Sequence, residues 1–136
     1  MTRGLVDSSA WIRAQRTGGD LGRLTDEALR TGDLAICEPV RIELLRGARS
    51  GPHATAIDEE LSAVITLTTD ADAWRLARRT IVQLAHLHGG RHRGPSLTDI
   101  VVAATAERHG VAVLHDDADF ELIASVTGQP VARIAG

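Results

Sequence analysis

The sequence predicts an α/β domain in which a mostly parallel sheet of about five strands lies between two layers of helices. Two patterns point to this fold class. Short apolar runs alternate with longer segments of helical periodicity, and strands without polar alternation are typical of a sheet covered on both faces. The chain has 136 residues, 43% of them apolar and 24% charged. This length fits one domain, residues 1–136, built around a single core.

Five apolar runs are the predicted strands: residues 4–7, 34–37, 64–67, 111–114 and 131–134. Each run is short and rich in leucine, isoleucine, valine or alanine, as expected for strands buried on both faces of a sheet. The first run ends on an acid, and an acidic helix start follows the fourth run at once. The strands therefore bring acidic residues to their carboxyl ends.

The segments after the first two strands carry helix signals. Ser8 or Ser9 is expected to cap the first helix. Gly32 ends a second helix, in which apolar residues keep helical spacing. Pro39 suits the first turn of a third helix, because proline lacks the N–H that this turn leaves unpaired. A further helical segment is expected near residues 57–61.

Two helices are predicted between the third and fourth strands. Asp70 opens a long amphipathic helix, and a glycine-rich break at residues 89–95 follows it. Ser96 or Thr98 can then cap a helix whose apolar stripe begins at Leu97 and continues at i+3, i+4 and i+7. The alternation of strand and helix is thus maintained along the chain.

The composition excludes several classes of protein. All fifteen basic residues are arginines, so chemistry that needs a catalytic or phosphate-binding lysine is excluded. Cys37 is the only cysteine, which excludes an internal disulfide and suits a reducing cytoplasm. The apolar stretches are far shorter than the ~20 residues of a membrane span, and the N-terminus lacks the apolar core of a signal peptide. The net charge of −3 argues against a generally basic nucleic-acid binder.

Four acids are expected at one edge of the sheet. Asp7 ends the first strand and Asp117 follows the fourth, and parallel sheets bind ligands beyond the carboxyl ends of their strands. Glu43 lies about one turn into the helix after the second strand, and Asp99 lies in the first turn of the helix before the fourth. Only the fold can unite residues so far apart in sequence.

Each acid alone has a plainer explanation as a helix cap, a turn residue or part of a solvated face. Together, four carboxylates at one edge repel one another strongly unless a cation offsets their charge. Ligands that are all oxygen favour Mg²⁺ or Mn²⁺ over zinc. Such a cation can activate water and stabilise a phosphoryl transition state, so the pattern favours a nuclease.

Four segments carrying these acids resemble the PIN-domain ribonucleases, and most of all the VapC toxins of bacterial toxin–antitoxin operons. The segments are residues 5–11, 41–44, 97–104 and 117–120. The resemblance runs in order over essentially the whole chain. It implies the PIN-like three-layer fold and an acidic quartet made of Asp7, Glu43, Asp99 and Asp117.

The resemblance also assigns roles within the site. Asp7, Asp99 and Asp117 would lie nearest the metal, and Asp119 matches a frequent fifth acid that joins these ligands. Glu43 would hold a second metal or orient the attacking water. A small hydroxyl residue commonly supports the first aspartate of the family, and Ser9 stands at that position.

By the same resemblance, the chain is an Mg²⁺-dependent endoribonuclease, with Mn²⁺ as a substitute, and the toxin of a type II toxin–antitoxin pair. Its substrate would be RNA, and its partner a cognate antitoxin that lays an apolar helix into a groove and places an arginine among the acids. A homodimer is also implied, and we expect it to use apolar helix faces, with Trp11 as a candidate residue. The alternative is a catalytically degenerate PIN scaffold that only binds RNA or a protein partner.

Several assignments stay open at this point. Asp116 adjoins Asp117 and could take its place by a shift of one position. His86, His88 and His92 have uneven, glycine-rich spacing that matches no compact zinc pattern and favours a polar loop. The arginines of that loop, like those around Glu43, could contact RNA phosphates. Receiver domains and dehalogenase-like hydrolases share the layered fold, but both need a lysine that this chain lacks.

Overall fold

The computed structural model describes residues 3–16 and 21–133. Its elements, in chain order, are β1 (Gly4–Val6), α1 (Ser8–Arg16), α2 (Leu21–Thr31), β2 (Leu34–Ile36), α3 (Glu38–Arg46), α4 (Gly51–Leu61), β3 (Ile65–Thr66), α5 (Ala71–His88), a 3₁₀ helix (Gly89–Arg93), α6 (Leu97–His109), β4 (Ala112–His115), α7 (Ala118–Thr127) and β5 (Val131–Arg133).

The strands form one five-stranded sheet in the order β3-β2-β1-β4-β5, and every neighbouring pair is parallel. All residues of β1 and β2 are buried, so helices cover both faces of the centre of the sheet. The predicted three-layer α/β/α architecture is confirmed. From β1 the chain proceeds towards one edge through β2 and β3, then crosses to the other side for β4 and β5. The switch point therefore lies between β1 and β4.

The third predicted strand differs most from expectation. An apolar run over residues 64–67 predicted a buried strand, but β3 contains only Ile65 and Thr66, and both are exposed. β3 is the edge strand beside β2, so one of its sides has no neighbouring strand to cover it. The fifth strand ends at Arg133, and the predicted last residue, Ile134, lies outside the described residues.

Most predicted helix caps are confirmed. Asp70 and Ser96 cap α5 and α6 through their side chains, and Pro39 lies in the first turn of α3. Gly32 follows α2 with φ of 68°, the left-handed conformation that suits glycine. The expected cap of the first helix by Ser8 or Ser9 is wrong, since both serines lie inside α1.

The core is continuous from the sheet to the helices, and Trp11 lies within it with no exposed surface. The Trp11 indole Nε1–H donates to the Val6 carbonyl oxygen at 3.2 Å. The expectation that Trp11 contributes to a dimer surface is therefore wrong, because its side chain is already buried within the chain. Within residues 3–16 and 21–133, no helix combines the length and the apolar character that crossing a membrane requires.

Candidate active site

Asp7 follows β1 at the centre of the sheet and is 1% exposed. Its backbone N–H donates to the Leu114 carbonyl oxygen at 2.9 Å, which ties it to β4. Its Oδ2 accepts from the Ser9 backbone N–H at 2.9 Å and from the Ser9 hydroxyl at 2.6 Å, so this carboxylate, and neither serine, caps α1.

The second oxygen of Asp7 has a different environment. Oδ1 is buried and has no hydrogen-bond partner among the described residues. Burial raises the pKa of Asp7 above its usual value, against the lowering effect of the bonds from Ser9 and with a smaller contribution from the charge of Glu43. A buried carboxylate oxygen that lacks a protein partner is available to a ligand.

Asp99 lies in the first turn of α6 and is 8% exposed. Its backbone N–H donates to the Ser96 hydroxyl oxygen at 3.1 Å, and its Oδ2 accepts from the Ser96 backbone N–H at 3.3 Å, forming a capping box. Burial, followed by the negative charges of Asp7 and Asp117, raises the pKa of Asp99 to about 7. The helix cap thus holds the Asp99 carboxylate at a position where burial and neighbouring negative charges oppose its ionisation.

Asp117 and Asp119 approach Asp99 from the start of α7. Asp117 caps this helix, and its Oδ1 accepts from the Asp119 backbone N–H at 2.9 Å. One carboxylate oxygen from each of the three aspartates lies within 4.8 Å of the others. Burial and the charge of Asp117 raise the pKa of Asp119. We call Asp99, Asp117 and Asp119 the acidic triad.

Glu43 lies on α3, and its Oε2 is buried without a hydrogen-bond partner in the part of the chain that the structure describes. Its negative charge contributes to the raised pKa of Asp7. Glu43 and Asp7 are not members of the acidic triad. Of the five sequence-predicted acids, the structure groups three in the acidic triad, and Asp7 interacts electrostatically with Asp99 and with Glu43.

Asp116 is excluded from the triad by its own contacts. Its Oδ2 accepts from Arg13 at 3.0 Å, and its Oδ1 accepts from Arg133 at 3.3 Å. The bond and charge of Arg13, with a smaller effect of Arg133, hold the pKa of Asp116 below its usual value. Of the two adjacent acids left open by the sequence, Asp117 is the one that the structure places in the triad.

His115 was not among the residues that the sequence singled out for the site. It is fully buried, and its Nδ1 accepts from the Asp117 backbone N–H at 3.2 Å, while its Nε2 has no partner among the described residues. Burial lowers the pKa of His115, which favours the neutral ring that can accept this bond. The last residue of β4 thus orients the turn that carries Asp117.

The histidines of the predicted polar loop do not form a metal site. Two of them, His86 and His88, lie on α5, and His92 lies in the 3₁₀ helix, where its Nδ1 contacts the Gly89 carbonyl oxygen at 3.0 Å. In residues 3–16 and 21–133, the acidic triad meets the geometry of a metal-ligand group and these histidines do not. The polar segment is an ordered 3₁₀ helix that leads into α6.

A groove of about 390 Å³ opens beside Glu43, between α3, α5 and α6. Three large apolar side chains line it and remain exposed: Ile42, Trp74 and Leu97. Leu97 is 71% exposed although it lies only two residues before Asp99. An apolar surface therefore adjoins Glu43 and the start of α6.

A cluster of carboxylates at the switch point of a parallel sheet is the arrangement of a PIN-domain nuclease, and the family model of the PIN domain matches residues 4–126. Ribonuclease VapC18 of Mycobacterium tuberculosis (strain ATCC 25618 / H37Rv) is 35% identical over 129 residues, which cover 95% of this chain and 93% of that protein. VapC ribonuclease Mb1587 of Mycobacterium bovis is 33% identical over 134 residues, 94% of this chain and 96% of that protein. The chain belongs to the PIN-domain family, and these relatives are named VapC ribonucleases.

Solved structures agree on the fold. A chain of the DNA-bound VapBC structure from Salmonella typhimurium superposes with a TM-score of 0.76 and 17% identity, covering 98% of each chain. A chain of VapBC2 from Rickettsia felis, bound to a DNA fragment from its promoter, gives a TM-score of 0.74 and 14% identity, covering 98% of this chain and 100% of the other. The predicted family and fold are confirmed.

Proposed function

We propose that the chain is a metal-dependent endoribonuclease that hydrolyses phosphodiester bonds in RNA and acts as the toxin of a toxin–antitoxin pair. The acidic triad carries this proposal. Its three carboxylate oxygens lie within 4.8 Å of one another. A divalent cation would offset their repulsion. The related VapC proteins are named ribonucleases.

The donor set fits Mg²⁺, with Mn²⁺ as a substitute, because it consists only of hard carboxylate oxygens. The proposed ligands are Asp7, Asp99, Asp117 and Asp119. Asp7 would contribute Oδ1, the buried oxygen without a protein partner. When bound, the cation would activate water and offset negative charge on the phosphate oxygens.

Other contacts within the chain orient the proposed metal ligands and the attacking water. Ser9 occupies Oδ2 of Asp7 and thereby leaves Oδ1 free. The capping box fixes the rotamer of Asp99 at the start of α6. The partnerless Oε2 of Glu43 can accept a hydrogen bond from the attacking water and orient it in line with the scissile bond; holding a second metal is the alternative role for this residue.

RNA is the proposed substrate, and a cognate antitoxin is the proposed protein partner. The apolar groove beside Glu43 suits an apolar helix of an antitoxin, and an arginine at its end would meet the uncompensated carboxylates. Structural neighbours of the chain come from VapBC toxin–antitoxin complexes. The single cysteine, Cys37, is buried as a free thiol, in keeping with a cytoplasmic location.

A homodimer is also proposed, with residues 1–136 forming one nuclease domain in each copy. Val82, an exposed apolar side chain on α5, is of the kind that dimers bury. Light scattering of the purified chain at micromolar concentration should give the mass of two copies. The mass of one copy would contradict the dimer.

The decisive assay is cleavage of total cellular RNA by the purified chain with EDTA, Mg²⁺ or Mn²⁺. Wild type and Asp58→Asn, a control at an exposed acid of α4, should both cleave with metal and neither with EDTA. Asp99→Asn should lose about 100-fold or more in rate, since even groups that only support a metal ligand are worth ~10–100-fold.

Two results would contradict the assignment. Cleavage by Asp99→Asn at the wild-type rate would remove the triad from the reaction. Binding of RNA by wild type without cleavage under any metal condition would favour the degenerate scaffold. The presence of all five acids at one site supports the enzyme over that alternative.

A further inference from the structure

Asp116 lies outside the acidic triad, yet its contacts lead to the elements that carry the site. Its carboxylate binds Arg13 of α1 at 3.0 Å and Arg133 of β5 at 3.3 Å. Its backbone N–H donates to the hydroxyl oxygen of Ser9 at 2.9 Å. One residue therefore joins α1 and β5 to the turn between β4 and α7, immediately before Asp117.

The hydroxyl group of Ser9 connects Asp116 to Asp7. Its hydroxyl oxygen accepts from Asp116 and donates its own hydrogen to Oδ2 of Asp7 at 2.6 Å. A serine hydroxyl has one hydrogen to donate, so the bond from Asp116 directs that hydrogen at Asp7. Oδ2 of Asp7 is then fully engaged by Ser9, and Oδ1 is the oxygen left to face the site.

Arg13 and Arg133 also offset the negative charge of Asp116, which would otherwise add to the repulsion among the neighbouring carboxylates. Asp116 adds a carboxylate next to Asp117, where negative charge is already concentrated. Arg13 and Arg133 bind one oxygen each, so the carboxylate of Asp116 is held from two sides and its charge is offset. With 24% of its side chain exposed, Asp116 is open enough to be substituted without disturbing the core.

We propose that Asp116 is a positioning residue of the nuclease: held by Arg13 and Arg133, it fixes the turn before Asp117 and, through Ser9, the carboxylate of Asp7. Both proposed ligands then face the same cation. This inference rests on the proposed function, but it concerns how the chain arranges its own ligands and makes Asp116 neither a ligand nor a catalytic residue.

Asp116→Asn tests the proposal, because asparagine keeps the shape and the backbone N–H but loses the charge that both arginines bind. In metal-free protein, amide hydrogen exchange should become faster at residues 8–11 and 115–119. Calorimetric titration with Mn²⁺ should show affinity weaker by about fivefold, less than the ~10–100-fold typical of groups bonded directly to a metal ligand. In RNA cleavage, kcat should fall while KM stays unchanged.

Glu121→Gln is the matched control. Glu121 binds the same arginine, Arg133, at 2.8 Å, but lies within α7 and not in the turn before it. Its loss should leave Mn²⁺ affinity and exchange at residues 8–11 unchanged. Arg13→Gln breaks the link from the other side, and its effect should be non-additive with that of Asp116→Asn because both act through one contact.

The outcomes separate this inference from the proposed function. Wild-type exchange and Mn²⁺ affinity in Asp116→Asn, in a protein that binds Mn²⁺ and cleaves RNA, would overturn the inference alone. Strictly additive effects of Asp116→Asn and Arg13→Gln would also overturn it. Absence of both Mn²⁺ binding and cleavage in wild type would instead overturn the proposed function.

Discussion

Replacing Asp99 with asparagine should stabilise the metal-free protein at neutral pH. The substitution removes a charge that burial, Asp7 and Asp117 all oppose. It keeps the helix cap, because the amide oxygen can accept the Ser96 backbone N–H that Oδ2 now binds at 3.3 Å. The amide N–H₂ can in addition donate to a neighbouring carboxylate. The variant therefore isolates the electrostatic cost of the acidic cluster from its structural role.

The magnitude follows from the pKa of Asp99, which rises from 3.8 to about 7. At ~1.36 kcal/mol per pH unit, this difference sets an upper limit of about 4 kcal/mol on the destabilisation of the folded state at neutral pH. Asp117 and Asp119 are only half-buried, so water and salt screen the charges around Asp99 and reduce the gain to about 1–2 kcal/mol. For a chain of 136 residues, the melting temperature should rise by about 3–8 °C.

The effect should depend on pH with a definite sign. A carboxyl group whose folded pKa is raised does not destabilise the protein below its unfolded value, 3.8 for Asp99, because it is then protonated in both states. The penalty grows as pH rises and is complete once pH exceeds the folded value of about 7. The advantage of Asp99→Asn over wild type should therefore shrink as pH falls from about 8 to about 4.5.

Thermal melts in EDTA between these pH values measure the effect, with Asp58→Asn as the control for loss of an exposed acid. Added Mn²⁺ should raise the melting temperature of wild type more than that of Asp99→Asn, because it binds the folded state through this carboxylate. A lower melting temperature for Asp99→Asn in EDTA at high pH, or a difference that does not vary with pH, would refute the electrostatic reasoning.

Three further substitutions distinguish the site from its scaffold. Ser9→Ala should leave the fold intact but weaken Mn²⁺ binding about tenfold in calorimetry, because Asp7 loses its hydroxyl donor; unchanged affinity would contradict this role. Asp70→Asn should lower the melting temperature at neutral pH, because a helix-cap bond holds the pKa of Asp70 below its usual value. The stability gained from a lowered pKa is lost as pH falls through the folded pKa, so the melting temperatures of the variant and wild type should converge in acid. Trp11→Phe should cost about 1–3 kcal/mol in urea unfolding, because it leaves the buried Val6 carbonyl unpaired; a neutral result would show that this bond contributes nothing.

The central elements of the fold could be predicted from sequence because their burial is complete. β1 and β2 are buried at every residue, and only a wholly apolar run satisfies that environment. β3 could not be distinguished in the same way, since the apolar run at 64–67 does not reveal that its strand lies at the edge of the sheet. Edge position is decided by strand order, which is a long-range property.

The site shows the same division between local and long-range information. Asp7 and Asp117 were predictable because parallel strands deliver their following residues to one edge. The contact that separates Asp116 from Asp117 was not, since Arg13 and Asp116 are 103 residues apart. The capping role of Asp7 was also missed: any of Asp7, Ser8 and Ser9 can cap a helix, and only the backbone shows which one precedes it.

Metal binding by the carboxylates of Asp7 and the acidic triad underlies the proposed function. The most direct measurement is anomalous diffraction from crystals of the chain soaked in Mn²⁺, collected with the metal-free crystal as reference. We expect one strong anomalous peak within ligand distance of Asp99, Asp117 and Asp119, and none at His92 of the 3₁₀ helix. Crystals that bind no Mn²⁺ among these aspartates, or that bind it only elsewhere, would contradict the account.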